Sequence, residues 1–266
     1  MTAQRLTRAV RQQLGLGRHL PLGEAADGAW VTEEAAVAVL DRSVRSVPGV
    51  RLSALRVELT SPRAAVEPAV PPPPGALPPG PLTLTAELAS PADRPVPAAA
   101  DDVRQALLAA AEQELGLALE SVDLRVTELV ETAAPGPAAG DGPESGRVSD
   151  AGASGSDTEA SGSAGAAHQD AADRVARAVL AVEGVARLAP VVGPALSRVA
   201  AGPAVSAVQI EGDPKEGRCH VLLQLGVSPT RRALDTASAA SAAARNALGA
   251  AGKVTVAVLV TAIERV

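Results

Sequence analysis

The sequence is poor in the residues on which most metal and thiol sites depend. It has one cysteine, Cys219, which excludes an internal disulfide and a cluster of thiolate ligands. Its histidines, His19, His168 and His220, fall in three separate predicted elements, whereas a metal site needs several convergent ligands. Cys219 and His220 are neighbours in a predicted strand, so their side chains point to opposite faces. The sequence therefore predicts no metal site and no cofactor.

Aromatic residues are almost missing as well. There is no phenylalanine or tyrosine, and Trp30 is the only tryptophan. A chain without rings for base stacking and with a formal net charge of -6 is unlike a binder of single strands or of polyanions in general. Neither half has a Gly-X-X-Gly loop between helices, which KH-like RNA-binding domains need. No DNA or RNA partner is expected, and a small-ligand or nucleic-acid binding module is the alternative function.

Long apolar runs are missing too. No run approaches the roughly 20 residues of a membrane-spanning helix, and the longest, residues 254–263, has the length of a strand. The N-terminus is basic without the apolar core of a secretory signal, so a cytoplasmic protein is expected. Residues 2–14 predict an amphipathic helix that touches a membrane surface or an acidic partner, or else packs on the first domain. Any membrane contact is expected to be peripheral, at the inner face of the cell membrane, through the basic arm of residues 1–24.

No constellation of catalytic residues is visible in the chain. Acidic residues occur singly on polar faces, which indicates solvated surface rather than an acid and base pair. Ser228, the best candidate nucleophile, is better explained as a helix cap in front of Pro229. The sequence therefore predicts a protein that is not an enzyme.

Residues 25–131 predict one α-β-β-α-β unit. Its first helix has Thr32 as N-cap and ends before Pro48, whose ring disfavours helical geometry in the preceding residue. The predicted buried stripe of this helix is Val37, Leu40, Val44 and Val47. Alternating strands are predicted on both sides of the proline-rich residues 61–81. These form either an elongated hairpin loop or a segment that docks on an aromatic-lined partner domain.

The second helix of this unit is predicted to start at Asp101 or Asp102 and to end at Gly116. A third strand follows at residues 122–126. Residues 132–169 are rich in Gly, Ser, Ala, Pro and Asp, and they can bury too little apolar surface to offset the entropy of ordering. They predict a flexible linker.

Residues 170–266 predict a second copy with the same order of elements. Asp170 is the expected cap of its first helix. The turn Val47-Pro48-Gly49-Val50 of the first copy returns as Val182-Glu183-Gly184-Val185, and Ser90-Pro91 returns as Ser228-Pro229. Residues 186–204 have no counterpart in the first copy and predict an insertion.

These patterns predict an α+β protein of two tandem repeats, each a small, mostly antiparallel sheet with two helices on one face. In the second copy, Leu222 and Leu259 are apolar although they lie off the core face of their strands. A strand that is apolar on both sides is normally covered on both sides. The outer face of this sheet is therefore expected to pack on another sheet, of the first copy or of a second molecule. Leu222 and Leu259 form the candidate interaction surface.

The segment VTEEAAVAVLDRSVRSVPGVRL, the two strands and helix that follow, and VDLRVTELVE resemble the alkaline shock protein family of bacterial envelope stress response proteins. Residues 30–50 and 122–131 carry this resemblance in the first copy, and residues 170–185 and 254–264 carry it in the second. The family's usual form is a single domain, so this chain resembles a tandem, actinobacterial-type variant. The resemblance implies a non-enzymatic scaffold or interaction protein that self-associates or has a membrane-associated protein partner. It implies no catalytic residues.

Overall fold

The computed structural model describes residues 17–131, 163–189, 207–213, 218–249 and 253–264. Within these residues the fold is α+β, with four helices and two mixed sheets. The strands are β1 (His19–Leu22), β2 (Ala29–Thr32), β3 (Arg51–Leu59), β4 (Leu82–Pro91), β5 (Leu119–Val130), β6 (Val185–Leu188), β7 (Val208–Asp213), β8 (Arg218–Val227) and β9 (Lys253–Ile263). The helices are α1 (Glu33–Val44), α2 (Val96–Ala110), which continues into a π-helical turn (Ala111–Leu115), α3 (Ser163–Leu180) and α4 (Ala233–Leu248).

The first sheet has three strands in the order β3-β4-β5. β3 and β4 are antiparallel, with Val57 opposite Leu84. β4 and β5 are parallel, with Leu84 opposite Val122. Helix α2 connects β4 to β5, and a helical crossover returns the chain in the same direction. The prediction of a mostly antiparallel sheet is therefore wrong, because each crossover helix adds a parallel pair.

The second sheet has six strands, in the order β1-β2-β9-β8, with β6 and β7 both pairing with the far edge of β8. β6 pairs with the end of β8 and β7 with its beginning, and both pairings are antiparallel. β9 runs parallel to β8 on one side and to β2 on the other, where Trp30 lies opposite Leu259. The β1-β2 hairpin, which straddles the predicted boundary at residue 24, thus belongs to the same sheet as the last strands of the chain.

Both halves of the chain have one connectivity. In the first half the order of elements is α1, β3, β4, α2 and β5. In the second half it is α3, the β6 and β7 pair, β8, α4 and β9. In each half the first strand is antiparallel to the second, and the last is parallel to it. β6 includes residues that were predicted to belong to the insertion. The insertion between β6 and β7 therefore begins later than predicted. Residues 190–206 lie outside the described residues.

One hydrophobic core spans both halves. α1 contacts β3 of the first sheet and β9 of the second, and α3 and α4 pack together on the second sheet. Small side chains face inward along α4, where four alanines are fully buried: Ala233, Ala237, Ala240 and Ala244. Small residues let backbones approach closely, which suits a core without phenylalanine or tyrosine.

The start of α1 and the ends of α2 and α4 match the predictions. Thr32 Oγ1 accepts a hydrogen bond of 3.3 Å from the Ala35 backbone N–H and caps α1. Gly116 follows α2 and its π-helical turn with φ of 89°, and Gly249 follows α4 with φ of 64°. The predicted stripe of α1 is wrong at Val37, which is only half-buried. Ala36, Val39, Leu40 and Val44 carry the buried face.

The predicted caps of the other helices are wrong. α2 begins at Val96, and the helix gains the burial of Ala99 ahead of Asp101 and Asp102, which lie in its interior. There they pair with Arg104 and Arg94. An acidic residue that is free to pair along a helix surface does not mark the start of that helix.

The second half shows the same error. α3 begins at Ser163, so Asp170 lies inside it, and part of the predicted linker is helical. α4 begins at Ala233, so Ser228 does not cap it. Ser228 Oγ instead accepts a 3.4 Å hydrogen bond from the Thr230 N–H, within the turn that precedes the helix. The predicted helix 2–14 and most of the predicted linker lie outside the described residues.

Candidate interaction surface

The outer face of the second sheet is covered by the chain itself. Trp30 on β2 and Leu259 on β9 lie side by side on this face, and Val70 of the proline-rich connection (residues 61–81) packs on them. Trp30 and Leu259 are each 1% exposed. The expectation that a second sheet packs on Leu259 is wrong, because the connection fills this place.

Main-chain hydrogen bonds fix the connection along the β1-β2 hairpin. They run from Ala69 N to Ala25 O (2.9 Å), from His19 N to Gly75 O (3.1 Å) and from Leu77 N to His19 O (2.8 Å). Trp30 Nε1 also donates to Leu77 O over 3.1 Å. At Gly28, with φ of 60°, a Cβ atom would lie 2.6 Å from Val70 Cγ2, so glycine is what allows this close approach. The proline-rich residues thus form an intramolecular cover.

The two residues predicted as an interaction surface have different surroundings. Leu259 is buried beneath the connection and cannot meet a partner while the connection is in place. Leu222 packs at the rim of the same cluster and is half-buried.

The equivalent face of the first sheet is open. Its three strands place polar side chains in rows across the sheet, for example Arg56, Thr85 and Asp123. A chain of hydroxyl hydrogen bonds joins Thr60 to Thr83 (2.9 Å) and Thr83 to Ser121 (3.0 Å). This open face consists of Arg56, Glu58, Thr83, Thr85, Glu87, Ser121, Asp123 and Arg125, all exposed or half-buried.

Both signs of charge occur on the open face. Arg125 and Glu87 lie 3.4 Å apart, and Arg56 and Glu58 lie 3.1 Å apart. The Arg125 side chain is 76% exposed, so these pairs add little to stability. They leave the face with charges that a partner can meet.

The outer edge of β5 is open as well. β5 pairs with β4 on one side, and among the described strands none pairs with its other side. The corresponding edge of β9 is covered by β2. An unpaired edge exposes a row of backbone N–H and C=O groups, which is a template for another strand. The first sheet therefore leaves open the edge that is covered in the second sheet.

His19 is the most unusual titratable group in the described residues. It is fully buried on β1, and neither ring nitrogen has a hydrogen-bond partner. Burial lowers the pKa of His19 from 6.5 to about 4. The ring is therefore neutral near pH 7 and acts as part of the packing beneath the connection.

The other histidines have structural contacts. His220 Nδ1 lies 3.0 Å from Thr255 Oγ1, and burial lowers the pKa of His220 against an opposing effect of Glu211. His168 Nε2 lies 3.0 Å from Gly212 O, and Cys219 is buried. In the part of the chain that the structure describes, no group of three or more His, Cys, Asp or Glu is placed to hold a metal ion.

Arg18 links the two sheets. It precedes β1, and its Nη2 donates to Glu33 Oε1 at the start of α1 (3.1 Å) and to Val57 O on β3 (2.8 Å). Its Nη1 lies 3.6 Å from Glu58 Oε1. The hydrogen bond to Glu33 raises the pKa of Arg18 above its ordinary value. A residue assigned to a basic arm thus ties the second sheet to the first.

Arg18→Ala is expected to lower the free energy of unfolding by about 1 kcal/mol, since it removes charged hydrogen bonds from a side chain that remains partly in water. Urea unfolding followed by circular dichroism measures the change. Arg104→Ala, which breaks only the exposed pair with Asp101, is the matched control and is expected to cost less than about 0.5 kcal/mol. Equal losses in the two variants would contradict a linking role for Arg18.

Comparison with protein-family models, with curated proteins and with solved structures finds no match. Among the described helices, none combines the length and the apolar character that crossing a bilayer requires.

The sequence indicates that the outer faces of the two sheets differ, and the apolar face was the predicted contact surface. The alternating polar residues of β4 and β5 predict half-buried strands, and they also mark a face left to solvent or to a partner. The packing of the connection on Trp30 was not predicted. The signal was available in the composition, because a lone large ring in an aromatic-poor chain needs an apolar cover nearby.

Proposed function

We propose that the protein is a non-enzymatic scaffold or interaction protein of the envelope stress response type, built from two repeats of one α-β-β-α-β unit. The shared connectivity of the halves supports a duplication. So do Gly49 and Gly184, which both turn the chain with positive φ, 74° and 94°, between a helix and the first strand of its sheet. The family proposed is that of the alkaline shock proteins, from the motifs around these two turns.

One contrast carries the functional part of the proposal. The second sheet has its outer face covered by the proline-rich connection and its β9 edge covered by β2. In the first sheet the corresponding face is polar and open, and the corresponding edge of β5 has no partner among the described strands. Free edges favour unwanted pairing, and proteins usually protect them. We infer that the first sheet is the surface offered to a partner, either a second copy or a membrane-associated protein in the cytoplasm.

Photocrosslinking in cells tests this proposal. A photoreactive residue replaces either Leu129, which is 59% exposed on β5, or Glu34, which is exposed on α1 and belongs to neither strand of that edge. Adducts with a defined protein, identified by mass spectrometry, are expected from position 129 and not from position 34. Equal labelling from both positions, or none from position 129, would count against the first sheet as an interaction surface.

A further inference from the structure

β5 is a long strand with one side free. It runs over 12 residues, Leu119–Val130. In a parallel pair only alternate residues of a strand bond to the neighbour, so the remaining N–H and C=O groups of β5 point away from β4. Among the described strands none receives them.

The side chains along this edge are also incompletely covered. Val122 is 8% exposed, but Leu124 and Val126, on the same side of the strand, are only half-buried, and Leu129 is 59% exposed. A further strand beside β5 would cover the apolar side chains and pair the backbone at once. Both the unpaired backbone groups and the incompletely covered side chains therefore indicate that this edge can accept one more strand.

The central residues of β5 are complementary to themselves. Two bulges interrupt its pairing with β4, one next to Glu120 and one next to Thr127, and the residues between them are regular. That regular segment includes Val122-Asp123-Leu124-Arg125-Val126, which is symmetrical about Leu124 in residue type and opposite in charge.

In an antiparallel pair of two such segments centred on Leu124, each apolar residue faces an apolar residue, and each charged residue faces one of opposite charge. Val122 of one copy faces Val126 of the other, and Asp123 faces Arg125 on both sides of the two-fold axis. Directly opposed residues lie about 4.5–5.5 Å apart at Cβ, so both charge pairs can form. Asp123 and Arg125 are exposed on the open face. Arg125 keeps 76% of its side chain in solvent beside Glu87, so both residues can be reached by a second copy. Glu120 and Glu128 face each other only at the ends, beside the bulges.

We propose that β5 pairs with β5 of a second copy in an antiparallel register centred on Leu124, which joins two first sheets into one continuous sheet across a dimer. This inference rests on the proposed function and names its partner. A contact of this kind uses the same patch on both copies, so it closes on itself as a two-fold dimer. Because β5 carries charges of both signs, a strand with charges of one sign would meet a like charge at Asp123 or at Arg125. A second β5 in this register meets an opposite charge at both residues and is therefore favoured.

Charge reversal tests the register in the full chain. Asp123→Arg makes both edge charges positive, and Arg125→Asp makes both negative, so each variant alone repels itself. The dissociation constant of each variant, measured by sedimentation equilibrium, is expected to rise at least about tenfold over that of the wild type. An equimolar mixture of the two variants, and the double variant that carries both changes, are expected to regain the wild-type affinity.

Arg56→Asp is the matched control. It reverses an arginine on the same open face but on β3, at the opposite edge of the sheet from β5, and is expected to leave the dissociation constant unchanged. Circular dichroism checks that all variants fold, which is expected because the changed side chains are exposed. A wild type that stays monomeric at every concentration, or single variants that dimerise as tightly as the wild type, would overturn the dimer. So would a mixture that fails to restore it.

The two proposals fail separately. A purified chain that is monomeric, while position 129 still crosslinks to a different protein in cells, rejects the β5 dimer and leaves the interaction surface standing. A dimer that responds to Arg56→Asp as strongly as to Asp123→Arg rejects the register, because the contact then includes the open face or the β3 edge and is not confined to the edge of β5.

Discussion

Replacing Trp30 by alanine is expected to remove about 3–5 kcal/mol from the free energy of unfolding. The indole ring is 1% exposed and lies between β9 and the proline-rich connection, in contact with Val70 and Leu259. Its removal leaves a cavity that main-chain hydrogen bonds on both sides keep from collapsing, and it leaves Leu77 O without the Nε1 donor. Such a loss is a large part of the roughly 5–15 kcal/mol by which domains are stable. Urea unfolding followed by far-ultraviolet circular dichroism measures it.

Two variants separate the causes. Trp30→Phe keeps most of the apolar contact but removes the donor, and is expected to cost about 1–2 kcal/mol. Val66→Ala trims a residue of the same connection that is 53% exposed, and is expected to change stability by less than about 0.5 kcal/mol. A Trp30→Ala variant as stable as Val66→Ala would show that the connection does not pack on the sheet.

Acidification from pH 6.5 to about 4 is expected to cost the protein about 3 kcal/mol through His19 alone. The pKa of His19 is about 4 in the folded chain, against 6.5 for a histidine in water. Between these values the unfolded chain binds a proton that the folded chain does not, so stability falls as the pH is lowered. Above pH 6.5 the ring is neutral in both states, and below about pH 4 it is charged in both, so the dependence ends at either side.

His19→Leu is expected to flatten this part of the profile, because leucine fills the site without a titrating nitrogen. His168→Gln changes a histidine outside this site and is expected to keep the wild-type slope. The measurement is the free energy of unfolding in urea at a series of pH values. A His19→Leu profile parallel to that of the wild type would refute the assignment.

Apart from β1, β2 and β6, which were not predicted, the order of the elements could be predicted from the sequence because it rests on local patterns. Alternation along residues such as Leu82, Leu84 and Leu88 marks a strand, and Gly116 marks the end of a helix. Helix starts were less predictable. Asp101, Asp170 and Ser228 all have the chemistry of a cap, yet the three helices begin elsewhere. At α2, the burial of Ala99 outweighs one capping bond of about 1 kcal/mol.

The candidate surface could be predicted only in part. The contrast between the outer faces of the two sheets is readable in the side chains around Leu222 and Thr85. What covers an apolar face is a matter of which distant segments meet, and nothing local to Val70 indicates that it packs on Trp30 and Leu259. The same reason hides Arg18, whose contacts with Glu33 and Val57 depend on the sheets being brought together.

The position of β9 has a consequence for the making of the protein. It lies between β2 and β8, and Thr32 Oγ1 bonds to Thr261 O across a separation of 229 residues. A ribosome releases the β1-β2 hairpin early and β9 after every other described strand, and contacts between distant segments form slowly. Until β9 has been synthesised, β2 has a partner on one side only, which is β1. The nascent chain therefore exposes an unpaired side of β2 until β9 emerges and the second sheet can close.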